Sequence, residues 1–226
     1  AVRGRPVSLF RDSQVQWFLG IVVAGVVAIA LWQWLSNDRA LGTAIRESAF
    51  NVTSIITGTG YASTDYWQWG SFPTIAFLIF MFVGGCAGST SCSVKVFRYQ
   101  VLYTGLRAQL VRLMRPHAVF VPQFNGRPIP GSATDSVFVF FVLFLLIFAI
   151  LTFGLAALGL DFVTAVSSAA TAIANVGPGL GDVVGPAGTF ASIPDAGKWM
   201  MVAGMLLGRL EVFTVLILFS PAFWRN

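Results

Sequence analysis

Between Ser136 and Leu160 the chain runs for 25 residues without a charged side chain. As a helix this stretch measures about 38 Å, more than the ~30 Å hydrocarbon core of a bilayer. Val15 to Leu35 is uncharged for 21 residues, and Lys198 to Phe223 forms a third apolar run, interrupted by Arg209 and Glu211. Of the 226 residues 56% are hydrophobic and 10% charged, whereas a soluble domain carries about 25% charge. Soluble, disordered, collagen-like and disulfide-scaffold classes are excluded on these figures, and an integral membrane protein is expected.

The formal net charge of +5 raises nucleic acid as a partner, but the positions of the cations argue for membrane topology. Arg3, Arg5 and Arg11 precede the first apolar run. Lys95, Arg98, Arg107, Arg112, Arg115 and Arg127 fill the central hydrophilic stretch, and Arg225 sits near the C-terminus. Cytoplasmic segments of membrane proteins carry this excess, so the N-terminus, the central stretch and the C-terminus are expected inside, with lipid and not nucleic acid around the chain. Cys86 and Cys92 show neither a disulfide framework nor metal-ligand spacing. The first apolar run is too long and too internal for a cleaved signal peptide. The chain opens with Ala1, so a piece of a longer protein is expected.

Tyr66 to Val94 is uncharged for 29 residues, but its second half, Gly84-Gly85-Cys86-Ala87-Gly88-Ser89-Thr90-Ser91-Cys92-Ser93, is mostly Gly, Ala, Ser and Thr. A spanning helix that breaks within the membrane is expected. Gly42 to Ile56 and Asp161 to Ala174 are apolar but too short to cross, and each runs into a glycine-rich stretch, as re-entrant helices do. Irregular backbone survives at membrane depth only where protein buries it or it lines a water-filled cavity. The order of spanning helix, short helix, glycine-rich loop and spanning helix occurs twice, with Gly60 and Gly177 117 residues apart. This divides the chain into 1–131, which includes the basic stretch, and 132–226. The fold class expected is all-α and polytopic, with two parallel helix–pore-helix–helix repeats whose loops point outward.

The first loop reads Thr57-Gly58-Thr59-Gly60-Tyr61-Ala62-Ser63, and the second Asn175-Val176-Gly177-Pro178-Gly179-Leu180-Gly181. A dehydrated cation needs oxygens in place of its water shell, and backbone carbonyls provide them. Aligning successive carbonyls on one axis requires conformations open mainly to glycine. A short helix aiming its C-terminal end at the axis adds partial negative charge there.

With these loops, the run Gly84 to Thr90, Lys95-Val96-Phe97-Arg98, Gly208-Arg209-Leu210-Glu211 and Phe219 to Trp224, the chain resembles the C-terminal half of a Trk/Ktr-type potassium-uptake subunit. The resemblance implies four helix–pore-helix–helix units around one pore, of which these are the third and fourth. It implies K⁺ as the transported ion with no covalently bound cofactor, and a missing N-terminal half carrying the first two units. It further implies a homodimer, a cytoplasmic nucleotide-binding regulator of the TrkA type, and a bacterial inner-membrane location. Gly58, Thr59, Gly60, Tyr61, Asn175, Val176, Gly177 and Pro178 match the selectivity filter, with K⁺ held by the carbonyls of Thr59, Gly60, Val176 and Gly177. Related plant transporters with serine at a filter-glycine position favour Na⁺, so Gly60 and Gly177 favour K⁺. Gly84, Gly85, Gly88, Ser89, Thr90 and Ser91 match an intramembrane gate, and Arg209 the arginine facing it. Relatives commonly carry glycines where this chain has Ser91-Cys92-Ser93, which points to a stiffer loop.

Arg209 at mid-span costs ~2.5–3.5 kcal/mol on insertion scales. An i,i+2 pair with Glu211 does not form across a helix, so a buried contact with loop carbonyls is expected, and Glu211 is assigned to packing. Asp65 and Asp182, each five residues after Gly60 or Gly177, read either as an anionic vestibule or as solvated loop acids. Leu102 to Met114 reads as a helix leaving the membrane, its cations serving topology, anionic lipid or the regulator. His117 reads as a surface residue, and the tryptophans near span ends as interfacial anchors. The rival readings are a Na⁺/K⁺- or H⁺-coupled secondary cation transporter (a symporter), a non-conducting structural half, and an intramembrane enzyme using Cys86. The enzyme lacks a base, since the lone histidine lies in the basic stretch.

Overall fold

The computed structural model describes residues 12–115, 123–124 and 127–209. Its helices are α1 (Ser13–Ser36), α2 (Leu41–Thr57), α3 (Ser71–Met81), α4 (Val96–Met114), α5 (Gly131–Ala157), α6 (Phe162–Ala174), the single turn α7 (Gly181–Val184) and α8 (Asp195–Arg209). Glu211, His117 and the segment from Phe219 to Trp224 lie outside the described residues.

The two uncharged runs become α1 and α5, 24 and 27 residues long and apolar enough to cross a membrane. Asp12 caps α1 by accepting the Gln14 N–H at 2.8 Å, and Asp161 caps α6 by accepting the Thr164 N–H at 3.1 Å. The short helices α2 and α6 have 17 and 13 residues, or about 26 and 20 Å. The last apolar run is helical as far as Arg209, where the description ends.

The Tyr66–Val94 segment departs from a long broken helix. A 3-10 turn at Tyr66–Trp69 comes first, and α3 stops at Met81, three residues before the glycine pair. Here the chain finds other partners. Val83 forms a parallel bridge with Val94, and the Ser93 hydroxyl donates to the Met81 carbonyl at 2.8 Å, satisfying a helix-end carbonyl. The helix after the loop starts at Val96, six residues before Leu102. The all-α class holds, and the basic stretch adds one two-residue antiparallel pair, β1 (Gln123–Phe124) with β2 (Arg127–Pro128). Its sequence signal is the intervening Asn125-Gly126, the pair most favoured in tight hairpin turns.

The two halves share one apolar core: Ile29, Val52, Ile55, Tyr66, Phe77 and Met81 pack with Ala170, Ala174, Val176 and Leu180. A second cluster joins α5, α6 and α8 through Phe144, Leu151, Leu155, Ala169, Ile173 and Met201. Small residues permit the close approaches. A β-carbon on Gly25 of α1 would lie 2.8 Å from Phe80 and 3.1 Å from Val52, and one on Gly204 of α8 2.7 Å from Leu151. Helix α6 is buried at every residue from Thr164 to Ala174 except Val166, which its Ala, Ser and Thr side chains allow.

Candidate functional site

The two glycine-rich loops leave their short helices in the same way. Helix α2 ends on Gly58 (φ 72°) and α6 on Asn175 (φ 53°), both left-handed and 117 residues apart. Glycine enters this region freely, and asparagine is among the side-chain-bearing residues that tolerate it. Each loop is then tied to its own helix. The Ser54 carbonyl accepts the N–H groups of Thr59 (2.9 Å) and Gly60 (3.3 Å), and the Thr171 carbonyl accepts that of Val176 (3.2 Å). The Thr171 hydroxyl accepts the Gly177 N–H at 3.0 Å and donates to the Gly177 carbonyl at 2.9 Å. The negative ends of both helix dipoles fall on the loops.

The loops meet face to face. A β-carbon on Gly60 (φ 77°) would collide with the Val176 carbonyl oxygen and lie 3.2 Å from Pro178 Cδ, and one on Gly177 would lie 3.8 Å from the Gly60 Cα. One on Gly58 would lie 3.9 Å from the Asn175 carbonyl. Gly58, Gly60, Asn175, Val176, Gly177 and Pro178 therefore come together, with Thr59 between them, while the Tyr61 side chain is exposed. Among the described residues no hydrogen bond reaches the carbonyl oxygens of Thr59, Gly60 or Val176, leaving them available to a cation. The Gly177 carbonyl is already engaged by Thr171, although a carbonyl has a second lone pair.

The return of each loop is held from behind. The Asn51 amide of α2 accepts the Ser63 N–H at 3.0 Å and donates to the Ser63 and Thr64 hydroxyls at 3.0 and 3.4 Å. Ser167 of α6 accepts the Leu180 N–H at 2.7 Å and donates to its carbonyl at 3.0 Å. Tyr66 joins the halves: fully buried and stacked on Phe77 with ring centroids 4.3 Å apart, it donates its hydroxyl to the Gly179 carbonyl at 3.3 Å.

The two loop acids differ. Asp65 accepts from the Trp67 N–H (3.2 Å) and from Gln68 Nε2 (3.0 Å), capping the 3-10 turn, while Asp182 is exposed in the first turn of α7.

The small-residue loop lies beside α8 across a cavity of about 220 Å³ lined by Thr90, Cys92, Lys95, Arg98 and Arg209 among others. Its serines do structural work. The Ser91 hydroxyl accepts the Gly85 N–H at 2.8 Å and pairs with the Ser89 hydroxyl at 2.8 Å. Gly84 is buried where a β-carbon would lie 2.5 Å from the Cys92 carbonyl, whereas at Gly88 there is open space. Arg209 Nη1 donates to the Thr90 carbonyl at 2.7 Å and lies 3.1 Å from Cys92 Sγ. The oxygen partner is the kind expected, but the residue is exposed where burial was expected.

These features define a helical membrane protein in which two short helices present facing carbonyl-rich loops. The chain belongs to the TrkH family, described as cation transport protein, whose profile matches residues 5–226. It is 48% identical over its whole length to the Trk system potassium uptake protein TrkI of Halomonas elongata, covering 46% of that protein. It is 37% identical to TrkH of Salmonella typhimurium over 99% of this chain and 46% of the relative. The crystal structure of the potassium transporter TrkH from Vibrio parahaemolyticus superposes with a TM-score of 0.89 at 35% identity, covering 97% of this chain and 47% of that one. The chain thus spans about half the length of the curated relatives it matches.

Sequence reasoning passed over Asn51, Ser54, Tyr66, Ser167 and Thr171. For Ser54 and Thr171 a signal existed, since they are separated by the same 117 residues as the loop glycines. Tyr66 and Gly179, 113 residues apart, carry no such mark.

Proposed function

We propose that this chain supplies two of four wall segments of a K⁺ uptake pathway, the units dividing at 1–131 and 132–226. Thr59, Gly60 and Val176 offer the dehydrated ion their free carbonyls, and Gly177 offers its remaining lone pair. Gly58, Tyr61, Asn175 and Pro178 shape the backbone on either side. The observation that carries the reading is the apposition of Gly60 with Val176 and Gly177: two loops bring carbonyls to one place, each at the C-terminal end of a short helix. In this reading Gly84, Gly85, Gly88, Ser89, Thr90, Ser91 and Arg209 form a gate, which the Arg209–Thr90 contact holds in place. Asp182, and Asp65 to the extent its cap leaves it free, raise the cation concentration at the mouth. The names of the relatives support K⁺ as the ion. The complete protein would add an N-terminal half, pair as a dimer in the bacterial inner membrane with the N- and C-termini of this segment on the cytoplasmic side, and dock a TrkA-like regulator.

The test is ⁸⁶Rb⁺ flux through the full-length subunit in liposomes, with Na⁺ competition and a Gly60→Ser variant. Rb⁺ preference in the parent and its loss in the variant are expected. Retained preference in Gly60→Ser would remove Gly60 from the filter, and flux that requires a Na⁺ or proton gradient would favour coupled transport.

A further inference from the structure

One turn of α8 touches both halves of the site. The Asn175 side chain, free because its backbone already terminates α6, donates from Nδ2 to the Met205 carbonyl at 3.0 Å. In an α-helix that carbonyl also accepts the N–H four residues on, that of Arg209. Arg209 in turn holds the small-residue loop through the Thr90 carbonyl at 2.7 Å. Between these contacts Gly208 lies so close to the end of α6 that a β-carbon would collide with the Ile173 carbonyl and approach Asn175 Nδ2 at 3.0 Å. Met205 to Arg209 is about 6 Å of helix, too short and too regularly bonded to absorb a displacement internally.

We infer that Asn175 is a positioning residue that couples the conformation of the second loop to the state of the small-residue loop, through the Met205–Arg209 turn. This deepens the K⁺-pathway reading and rests on it. Displacing Arg209 from Thr90 moves or rotates a turn whose Met205 carbonyl is hydrogen-bonded to the residue that launches Val176 and Gly177. Ion preference and loop closure therefore change together. In the first half the corresponding left-handed position is Gly58, which has no side chain to make such a link, so the coupling acts through the second loop alone.

The coupling is reciprocal in free energy, which makes it measurable from either end. The full-length subunit is compared in liposomes as Asn175→Asp, Asn175→Gly, Arg209→Gln and the double variant Asn175→Asp/Arg209→Gln. Aspartate and glycine both tolerate the left-handed backbone but remove the amide donor, and retention of a monodisperse peak on size exclusion establishes that each folds. Two quantities are read: Rb⁺-over-Na⁺ preference, and the rate at which a soluble thiol reagent alkylates Cys92, located by mass spectrometry. Both Asn175 variants are expected to change the ion preference and also to raise Cys92 alkylation about fivefold or more. In the double variant the two effects should combine far from additively. A change of preference with Cys92 alkylation at the parent rate, or strictly additive effects, overturns the coupling. Absence of selective Rb⁺ flux in the parent sinks the pathway reading on which the coupling rests.

Discussion

Replacing Gly60 with alanine probes the closest approach in the site. Two penalties follow from the structure. The residue sits at φ 77°, where an L-side chain costs ~1–2 kcal/mol. The added methyl would also collide with the Val176 carbonyl oxygen, an overpacking that costs ~1–3 kcal/mol in a well-packed region. Together these come to about 2–5 kcal/mol, and the least costly relief is to part the two loops. That displaces the Val176 carbonyl, and every ~1.4 kcal/mol of lost ion discrimination is a tenfold loss of K⁺ preference. The control is Gly20→Ala on α1, where nothing lies within 4 Å of the added carbon and alanine favours the helix by ~0.5–1 kcal/mol. The assay is ⁸⁶Rb⁺ flux against Na⁺, with thermal unfolding in detergent as the stability readout. Gly60→Ala is expected to lose most of its Rb⁺ preference and melt below the parent, and Gly20→Ala to do neither. If the two variants behave alike in both measurements, the apposition of the loops has been misread.

Tyr66→Phe removes a hydroxyl that ties the halves behind the loops; a loss of ~0.5–1.5 kcal/mol, read by thermal unfolding, is expected together with weaker ion discrimination, and an unchanged melt would show that the bond contributes nothing. Asp161 is held below the ordinary aspartate pKa, first by its hydrogen bonds with Thr164, so its contribution to α6 is complete above the unfolded-state pKa and fades as pH falls through the folded value. Asp161→Ala should cost ~0.5–2 kcal/mol at neutral pH and flatten this acid dependence, and equal acid sensitivity in parent and variant would reject the cap. Asp182→Asn, which leaves the Asp65 cap intact, should lower Rb⁺ uptake at low external concentration and more so at low ionic strength. Uptake insensitive to salt in both proteins would leave Asp182 a solvated loop acid.

Much of this architecture can be read from one chain because hydrocarbon punishes charge. The uncharged runs at Val15–Leu35 and Ser136–Leu160 have little choice but α1 and α5. Arg209 advertised its need for an oxygen partner by its cost at mid-span, and the Thr90 carbonyl supplies one. The spacing of Gly60 and Gly177 is shared by Gly58 with Asn175 and by Ser54 with Thr171, so local backbone chemistry carried that pattern too. What stayed hidden depends on contacts distant in sequence. Nothing near Met81 announces that Ser93 will take its carbonyl, and nothing in Tyr66 names Gly179. The hydroxyl of Thr171 reads as a plain helix residue until the loop folds back onto it.

Where the ion sits remains the most direct question to put to the molecule. Crystals of the full-length subunit soaked in Rb⁺ or Tl⁺ and measured at the metal's absorption edge would show an anomalous peak between the loops, level with the carbonyls of Thr59, Gly60 and Val176. A peak confined to the acids at Asp65 and Asp182, or no ordered ion between the loops at a concentration that supports flux, would contradict the account.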